Sequence, residues 1–354
     1  MSLDGLEVRP VRGLGDITPG DDLVALIATA APWLADGDVL VVTSKIVSKA
    51  EGRLVEVPAD GPERDEARAE ALAGETARVV ARRGPTTIVQ THHGFVMAAA
   101  GIDASNVDKT HLVLLPADPD ASARRIRDGF LARGLDVAVV VSDTMGRAWR
   151  NGLTDVALGA AGISPFRDHR GETDPYGNEL QITQMAVIDE LAAAGELVKG
   201  KRDQVPVAVV RGLGPIPGAD EGAAALLRDA ASDMFSLGTA EARAAGLREA
   251  AQLADGTQLA LPGLPVDPDA VRRALETVAG LMGHGTRITP AETLPHNGAT
   301  AALHLEAHDL SPTGLMRLGA DAHRVRAALA AESIATAVLP HEDGIRIDLS
   351  GVPA

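Results

Sequence analysis

Two textures alternate along residues 6 to about 233. Short runs rich in Val and Leu, bounded by Gly, Asp or Pro, predict strands over 6–11, 39–43, 87–91, 112–115, 137–141 and 207–210. Longer stretches with apolar positions at helical spacing predict helices over 22–34, 63–82, 119–131, 183–198 and 221–230. Asp118 followed by Pro119 is an N-cap and first-turn pair for the third of these. Strands and helices interleave without an internal repeat, a pattern that fits α/β or α+β architecture.

From about Thr239 the pattern changes. An Ala-rich helical stretch, 240–253, runs into Leu261-Pro262-Gly263-Leu264-Pro265, punctuation that reads as a domain boundary. Asp267-Pro268 opens a helix through 282. Strand-like 299–307, a helix near 321–331 and strands over 335–339 and 345–349 complete a small α+β module, with Asp343-Gly344 as a hairpin turn. The expected organisation is a domain over 1–240 and a second, of unknown role, over 241–354.

Composition sharpens this picture. A chain of 354 residues naturally holds two domains, and with 45% apolar but only 2% aromatic residues their cores must be built from Val, Leu, Ile and Ala. The absence of Cys excludes disulfides, thiolate metal sites and a cysteine nucleophile, and suits a reducing compartment. Residues 1–10 carry no signal pattern and no apolar run is of membrane length, so a cytoplasmic protein without a membrane partner is expected. The net charge of −16 argues against a nucleic-acid binder. An anionic ligand would need local Lys and Arg, backbone N–H groups and a divalent cation, all acting against the global field.

Three segments could supply them. In Val41-Val42-Thr43-Ser44-Lys45-Ile46-Val47-Ser48-Lys49 an apolar strand ends in hydroxyls and lysines able to meet phosphate oxygens. The same string fits a strand leaving the core with solvated lysines. After the 137–141 run comes Ser142-Asp143-Thr144-Met145-Gly146-Arg147-Ala148-Trp149-Arg150-Asn151-Gly152. An Asp at a core strand's end is suited to a hard cation, though a turn whose Asp caps a helix reads equally well. Gly101-Ile102-Asp103-Ala104-Ser105-Asn106 is a polar turn that could add a ligand, yet Asx residues in turns are usually structural. Asp118 and Asp120 read as cap and solvent residues. His304, Glu306 and His308 share one face of a strand, which reads as its wet face before it reads as a metal site. Gly13-Leu14-Gly15-Asp16-Ile17 alone is a poor dinucleotide fingerprint, and no Walker-type loop is present.

Taken in order, the segments 13–17, 43–53, 101–106 and 142–162, with Asp174-Pro175-Tyr176-Gly177-Asn178-Glu179-Leu180 and Lys199-Gly200-Lys201 through 207–212, resemble the coenzyme F420:L-glutamate ligases over residues 6 to 238. The resemblance implies an α+β fold that dimerises through intertwined protomers. It implies an enzyme that spends GTP to add L-glutamate to an F420 precursor through an acyl phosphate. Leu14, Gly15, Asp16, Ile17, Ser44, Lys49, Asn106 and the strip Lys199, Gly200 and Lys201 would then meet GTP. Asp103 and Asp143 would hold one Mg²⁺ or Mn²⁺, Asp143 and Thr144 would reach a second ion, and K⁺ is a further candidate. Lys49 and Arg147 would join Asp143 in catalysis, with Arg147 and Arg150 on the acidic substrate. Where some relatives offer Gln to the second ion this chain has Lys201, which cannot ligate while protonated. The C-terminal stretch is too short for the flavin-binding domain of longer relatives, so no flavin is expected. A ligase of the same fold acting on another acidic acceptor, or a nucleotide-binding regulator, are the competing readings.

Overall fold

The computed structural model describes residues 5–105, 107–200, 204–214, 221–253, 260–282, 285–291 and 298–353. They divide into two units, Met1–Thr239 and Ala240–Ala354. The first runs β1 (Glu7–Val11), α1 (Leu23–Ala30), β2 (Val39–Thr43), α2 (Ser44–Ala50), β3 (Leu54–Glu56), α3 (Pro62–Gly74), β4 (Thr76–Arg83), β5 (Thr86–Thr91) and β6 (Val96–Ala98). It continues with β7 (His111–Val113), α4 (Pro119–Leu131), β8 (Ala138–Arg147), β9 (Arg150–Ala161), β10 (Arg167–Asp168), β11 (Gln184–Met185), α5 (Val187–Lys199) and β12 (Val207–Arg211). The fold is α+β.

Its centre is a five-stranded sheet of order β1-β12-β2-β8-β9, antiparallel except for the parallel pair β2–β8. Both faces are covered, which is why residues 39–42, 139–141 and 207–210 are apolar without alternation. Leu40, Val42, Val139, Val141, Val207 and Val209 face Ile27, Ile126 and Phe130 of α1 and α4. Val39, Val41, Val140, Ala208 and Val210 face Ile188, Leu191 and Ala192 of α5. Gly195 lets α5 lie against β2, since a Cβ there would stand 2.8 Å from a Val41 methyl.

Three expectations change here. The stretch 63–82 is not one helix: α3 stops at Gly74, a weak helix residue, and Thr76–Arg83 pairs with β5. The strand over 137–141 does not end before Asp143, because β9 pairs with β8 out to Arg147↔Arg150 and keeps it extended. The stretch 221–230 holds only a 3₁₀ turn, Ala223–Leu226. That turn is held by Asp120, which accepts from the backbone N–H of Ala223 at 2.7 Å and of Ala160 at 2.8 Å. Asp120 is therefore a tie between α4, β9 and the turn, and not a solvent residue. Asp118 does cap α4, accepting from Ala121 N.

The second unit comprises α6 (Thr239–Ala251, starting at the boundary), α7 (Pro268–Ala279), β13 (Thr286–Pro290), β14 (Ala301–Ala307), α8 (Pro312–Ala331), β15 (Ile334–His341) and β16 (Gly344–Gly351). A four-stranded antiparallel sheet, β13-β14-β16-β15, packs Leu303, Leu305, Ile347 and Leu349 against Ala274, Val325 and Leu329 of α7 and α8. The hairpin joining β15 to β16 turns at Glu342-Asp343, one residue before the expected position. Each unit has its own apolar cluster, so residues 1–239 are expected to fold alone and to melt cooperatively. A soluble, helical fragment by circular dichroism is the expected result; an insoluble one would mean that residues 240–354 cover core surface. Among the described residues no helix is long and apolar enough to cross a membrane.

Candidate active site

The parallel register of β2 and β8 sets Thr43 opposite Ser142. One residue further on, β2 turns into α2 at Ser44 while β8 runs on through Asp143. Ser44 is buried, and Lys45 and Lys49, four residues apart, share one side of α2. The Lys45 ammonium stands 2.5 Å from Asp103 Oδ2 and donates to Ser105 Oγ at 2.8 Å. Asp103 is fixed by paired backbone hydrogen bonds with Val113, at 3.0 and 2.8 Å. Its Oδ1 accepts from Ser105 N at 2.6 Å. Burial alone would raise the Asp103 pKa, but the hydrogen bonds from Lys45 and Ser105 outweigh it and hold the carboxyl below the usual range.

Asp143 is pushed the other way, up to about 7, first by burial and then by the charges of Asp155 and Asp103. Only a hydrogen bond from Thr144 N, at 2.8 Å, and the charge of Lys45 oppose this. A half-buried carboxylate within the field of two others is costly to ionise unless a cation joins it. Carboxylate oxygens under excess negative charge are the donors a hard divalent cation takes, so Asp103 and Asp143 are of the right type for Mg²⁺ or Mn²⁺.

Beneath Asp143 lies a second polar cluster. Asp155 of β9, 2% exposed, accepts from Ser142 Oγ at 2.9 Å, from Thr144 Oγ1 at 2.7 Å and from Lys199 Nζ at 2.8 Å. Lys199, at the end of α5, is equally buried; it also donates to Ser142 Oγ at 2.9 Å and lies 3.5 Å from Glu196. Its ammonium is thus committed to protein partners directly under β8, with Gly200 (φ +63) closing the helix.

Leu14 and Ile17 are anchored in the core, whereas Gly15 and Asp16 between them are exposed. Gly15 has φ +69, and a Cβ there would meet nothing within 4 Å, so the backbone conformation and not crowding asks for glycine. Gly20 N donates to Ala50 O at 2.8 Å, tying this loop to the end of α2. Arg147 and Arg150 are not beside Asp143. They face each other at the exposed tip of the β8–β9 hairpin, four residues or ~13 Å along the strand. Trp149, 80% exposed between them, meets Phe235 edge to face at 4.7 Å. Asn106 and Lys201 lie outside the described residues.

Sequence reasoning passed over Asp155 and chose Lys49 over Lys45. Asp155 sits in a Gly- and Ala-rich stretch whose strand character depends on pairing with β8. Its partner Lys199 is 44 positions away, so neither residue signals the other.

The family profile described as F420-0:gamma-glutamyl ligase matches residues 13–212. The coenzyme F420:L-glutamate ligase of Methanothermobacter thermautotrophicus is 40% identical over 250 residues, which are 65% of this chain and 99% of that protein. Its counterpart in Methanopyrus kandleri is 39% identical over 66% of this chain and 98% of the relative. That of Halobacterium salinarum is 45% identical over 57% and 85%.

Proposed function

The chain belongs to the F420-0:gamma-glutamyl ligase family, and we propose that it is a GTP- and divalent-metal-dependent ligase that extends the glutamyl tail of coenzyme F420. The observation that carries the metal-dependent reading is the meeting of Asp143, Asp103 and Lys45 where β2 and β8 diverge, with Asp143 raised to about 7 by burial and by its acidic neighbours.

A carboxylate resists attack by an amine, so the acceptor must be activated. Transfer of the γ-phosphoryl group of GTP to that carboxylate gives an acyl phosphate and GDP. The glutamate amine then forms the amide bond, and phosphate leaves with loss of a proton from nitrogen. Mg²⁺ or Mn²⁺ held by Asp103 and Asp143 would neutralise charge on the transferring group. Lys45 and Lys49, on one side of α2, hold anionic oxygens over the same place. Ser44, at the start of α2, offers a hydroxyl, and the loop holding Gly15 and Asp16 offers exposed backbone. Asp155 and Lys199 keep β8 and α5 in register beneath Asp143, and alignment supplies much of the rate.

GTP is expected to support turnover far better than ATP, because groups built to hydrogen-bond guanine are left unpaired with adenine, at a cost of ~1–3 kcal/mol each. Protein, Mn²⁺, glutamate and F420 lacking its glutamyl tail are incubated with each nucleotide and analysed by mass spectrometry. Product heavier by glutamyl units with GTP, at tenfold or greater efficiency over ATP, is the expected outcome. Equal efficiencies sink the nucleotide assignment, and absence of glutamylated product sinks the ligase reading.

A further inference from the structure

In the second unit, three side chains that the ligase chemistry does not use converge at one end of the sheet. His304 lies on β14, His341 closes β15, and Asp343 stands in the turn before β16. Each offers a ligand atom, and the three atoms all lie within 4.8 Å of one another. The contacts are close: His341 Nδ1 is 2.9 Å from Asp343 Oδ1, and His304 Nε2 is 3.3 Å from the same oxygen. The two imidazoles meet edge to face with centroids 4.2 Å apart.

His304 and Glu306 alternate with the buried Leu303 and Leu305, as a wet strand face requires, but His304 itself is largely covered. Its side chain is 15% exposed, and Nε2 is buried without a hydrogen-bond partner. A buried imidazole nitrogen rarely goes unsatisfied, and here it points to the oxygen that His341 also engages. On the other side of the ring, Nδ1 lies 3.5 Å from Glu306 Oε1. A carboxylate behind one ring nitrogen, leaving the other free to ligate, is how metal-bound histidines are oriented. The cation opposite His304 on β16, Arg346, is turned along its own strand and directs Nε to Asp348 Oδ1 at 2.6 Å.

We infer that His304 Nε2, a ring nitrogen of His341 and a carboxylate oxygen of Asp343 form a site for a divalent transition ion of the Zn²⁺ class, with Glu306 orienting His304. Two imidazoles and one carboxylate suit Zn²⁺ and leave a position for water. In a tetrahedral site with bonds near ~2.1 Å, ligand atoms stand ~3.4 Å apart, so the present spacings close onto an ion with small side-chain shifts. The oxygen-rich pair Asp103 and Asp143 selects harder ions, so the two sites differ in chemistry as well as place. An ion here would staple β14 to the β15–β16 turn.

The test uses the full chain with Mg²⁺ in large excess, so that oxygen-ligand sites are filled, and measures bound Zn²⁺ by equilibrium dialysis and elemental analysis. The wild type is expected to bind one equivalent, and His304→Ala/His341→Ala to lose it. Co²⁺ in place of Zn²⁺ should give visible ligand-field bands that disappear in the same variant. If that variant fails to fold by circular dichroism, Asp343→Asn, an exposed turn substitution, should weaken binding at least tenfold. No bound Zn²⁺ in the wild type, or equal stoichiometry and affinity in the folded variants, overturns the site. Glutamyl transfer does not enter the readout, so this inference and the ligase reading fail separately.

Discussion

Asp143→Asn abolishes ligation in a protein that still folds. The substitution keeps the size of the side chain and an oxygen that can accept from Thr144 N, but removes the charge that would hold a hard cation. Loss of electrostatic stabilisation of this kind commonly costs ~3–4 kcal/mol of barrier lowering, roughly 10²–10³ in rate. Stability carries a second signature. With its pKa raised to about 7 by burial and by Asp155 and Asp103, Asp143 binds its proton more tightly in the folded chain than in the unfolded one. Its contribution to stability in metal-free protein therefore declines as pH rises from about 4 to about 7. The amide variant has no such component, so the melting temperature of the metal-free wild type should fall relative to that of the mutant as pH rises through that window. Mn²⁺ should restore the wild type on the alkaline side and leave the mutant unmoved. Asp103→Asn should act in the same direction on turnover but less severely. If Asp143 only steadied the β8 backbone through Thr144 N, the substitution would cost ~1 kcal/mol of stability with normal turnover. A folded mutant with a near-normal rate and the wild-type pH profile would remove the metal assignment.

The parts of the fold that could be read from sequence were those whose signal is local. The 39–43 run and the 119–131 helix match the observed elements, the latter because Asp118 and Pro119 mark its start. The runs 335–339 and 345–349 lie inside β15 and β16, joined by a turn one residue from its expected place. Helix 63–82 overran because Arg, Ala and Glu continue past Gly74, while the alternation that makes 76–83 a strand is satisfied only by β5. β9 was missed because Gly159, Ala160 and Ala161 are weak strand formers in isolation. In place, a Cβ on Gly159 would meet Pro119 O at 2.2 Å, so its smallness serves the crossing of α4. Taken alone, the strings holding Asp103, Ser44 and Asp143 leave a structural reading open, and it is their order along the chain, through the resemblance, that singles them out. What surrounds them was not legible: Lys45 reaches Asp103 from a distant segment of the chain, and the field on Asp143 depends on Asp155 from the neighbouring strand.

Lys199→Met gives the largest loss of stability. Lys199 is identified by resemblance with a strip that passes near the nucleotide phosphates, yet its ammonium is enclosed with Asp155, Ser142 and Glu196. The substitution leaves Asp155 buried without its cation, and removal of one partner from a buried ion pair costs about 3–5 kcal/mol. In a domain of this size that lowers the melting temperature by on the order of 10 °C. Asp155 would then turn more of its negative potential on Asp143, so turnover should fall as well, and the loss should deepen at low pH where protons compete with metal for Asp143. Replacing both partners, Asp155→Leu with Lys199→Met, removes the stranded charge and should recover part of the stability. It should not recover activity, because Thr144 Oγ1 and Ser142 Oγ both lose the acceptor that fixes β8 beside Asp143. A phosphate-binding Lys199 makes a different set of results: unchanged melting, a raised KM for GTP and a nearly unaffected kcat. Thermal melts of the single and double variants, with kcat and KM for GTP measured on the same preparations, separate the two. An unchanged melting temperature for Lys199→Met would show that the ammonium belongs to the nucleotide and not to the frame beneath it.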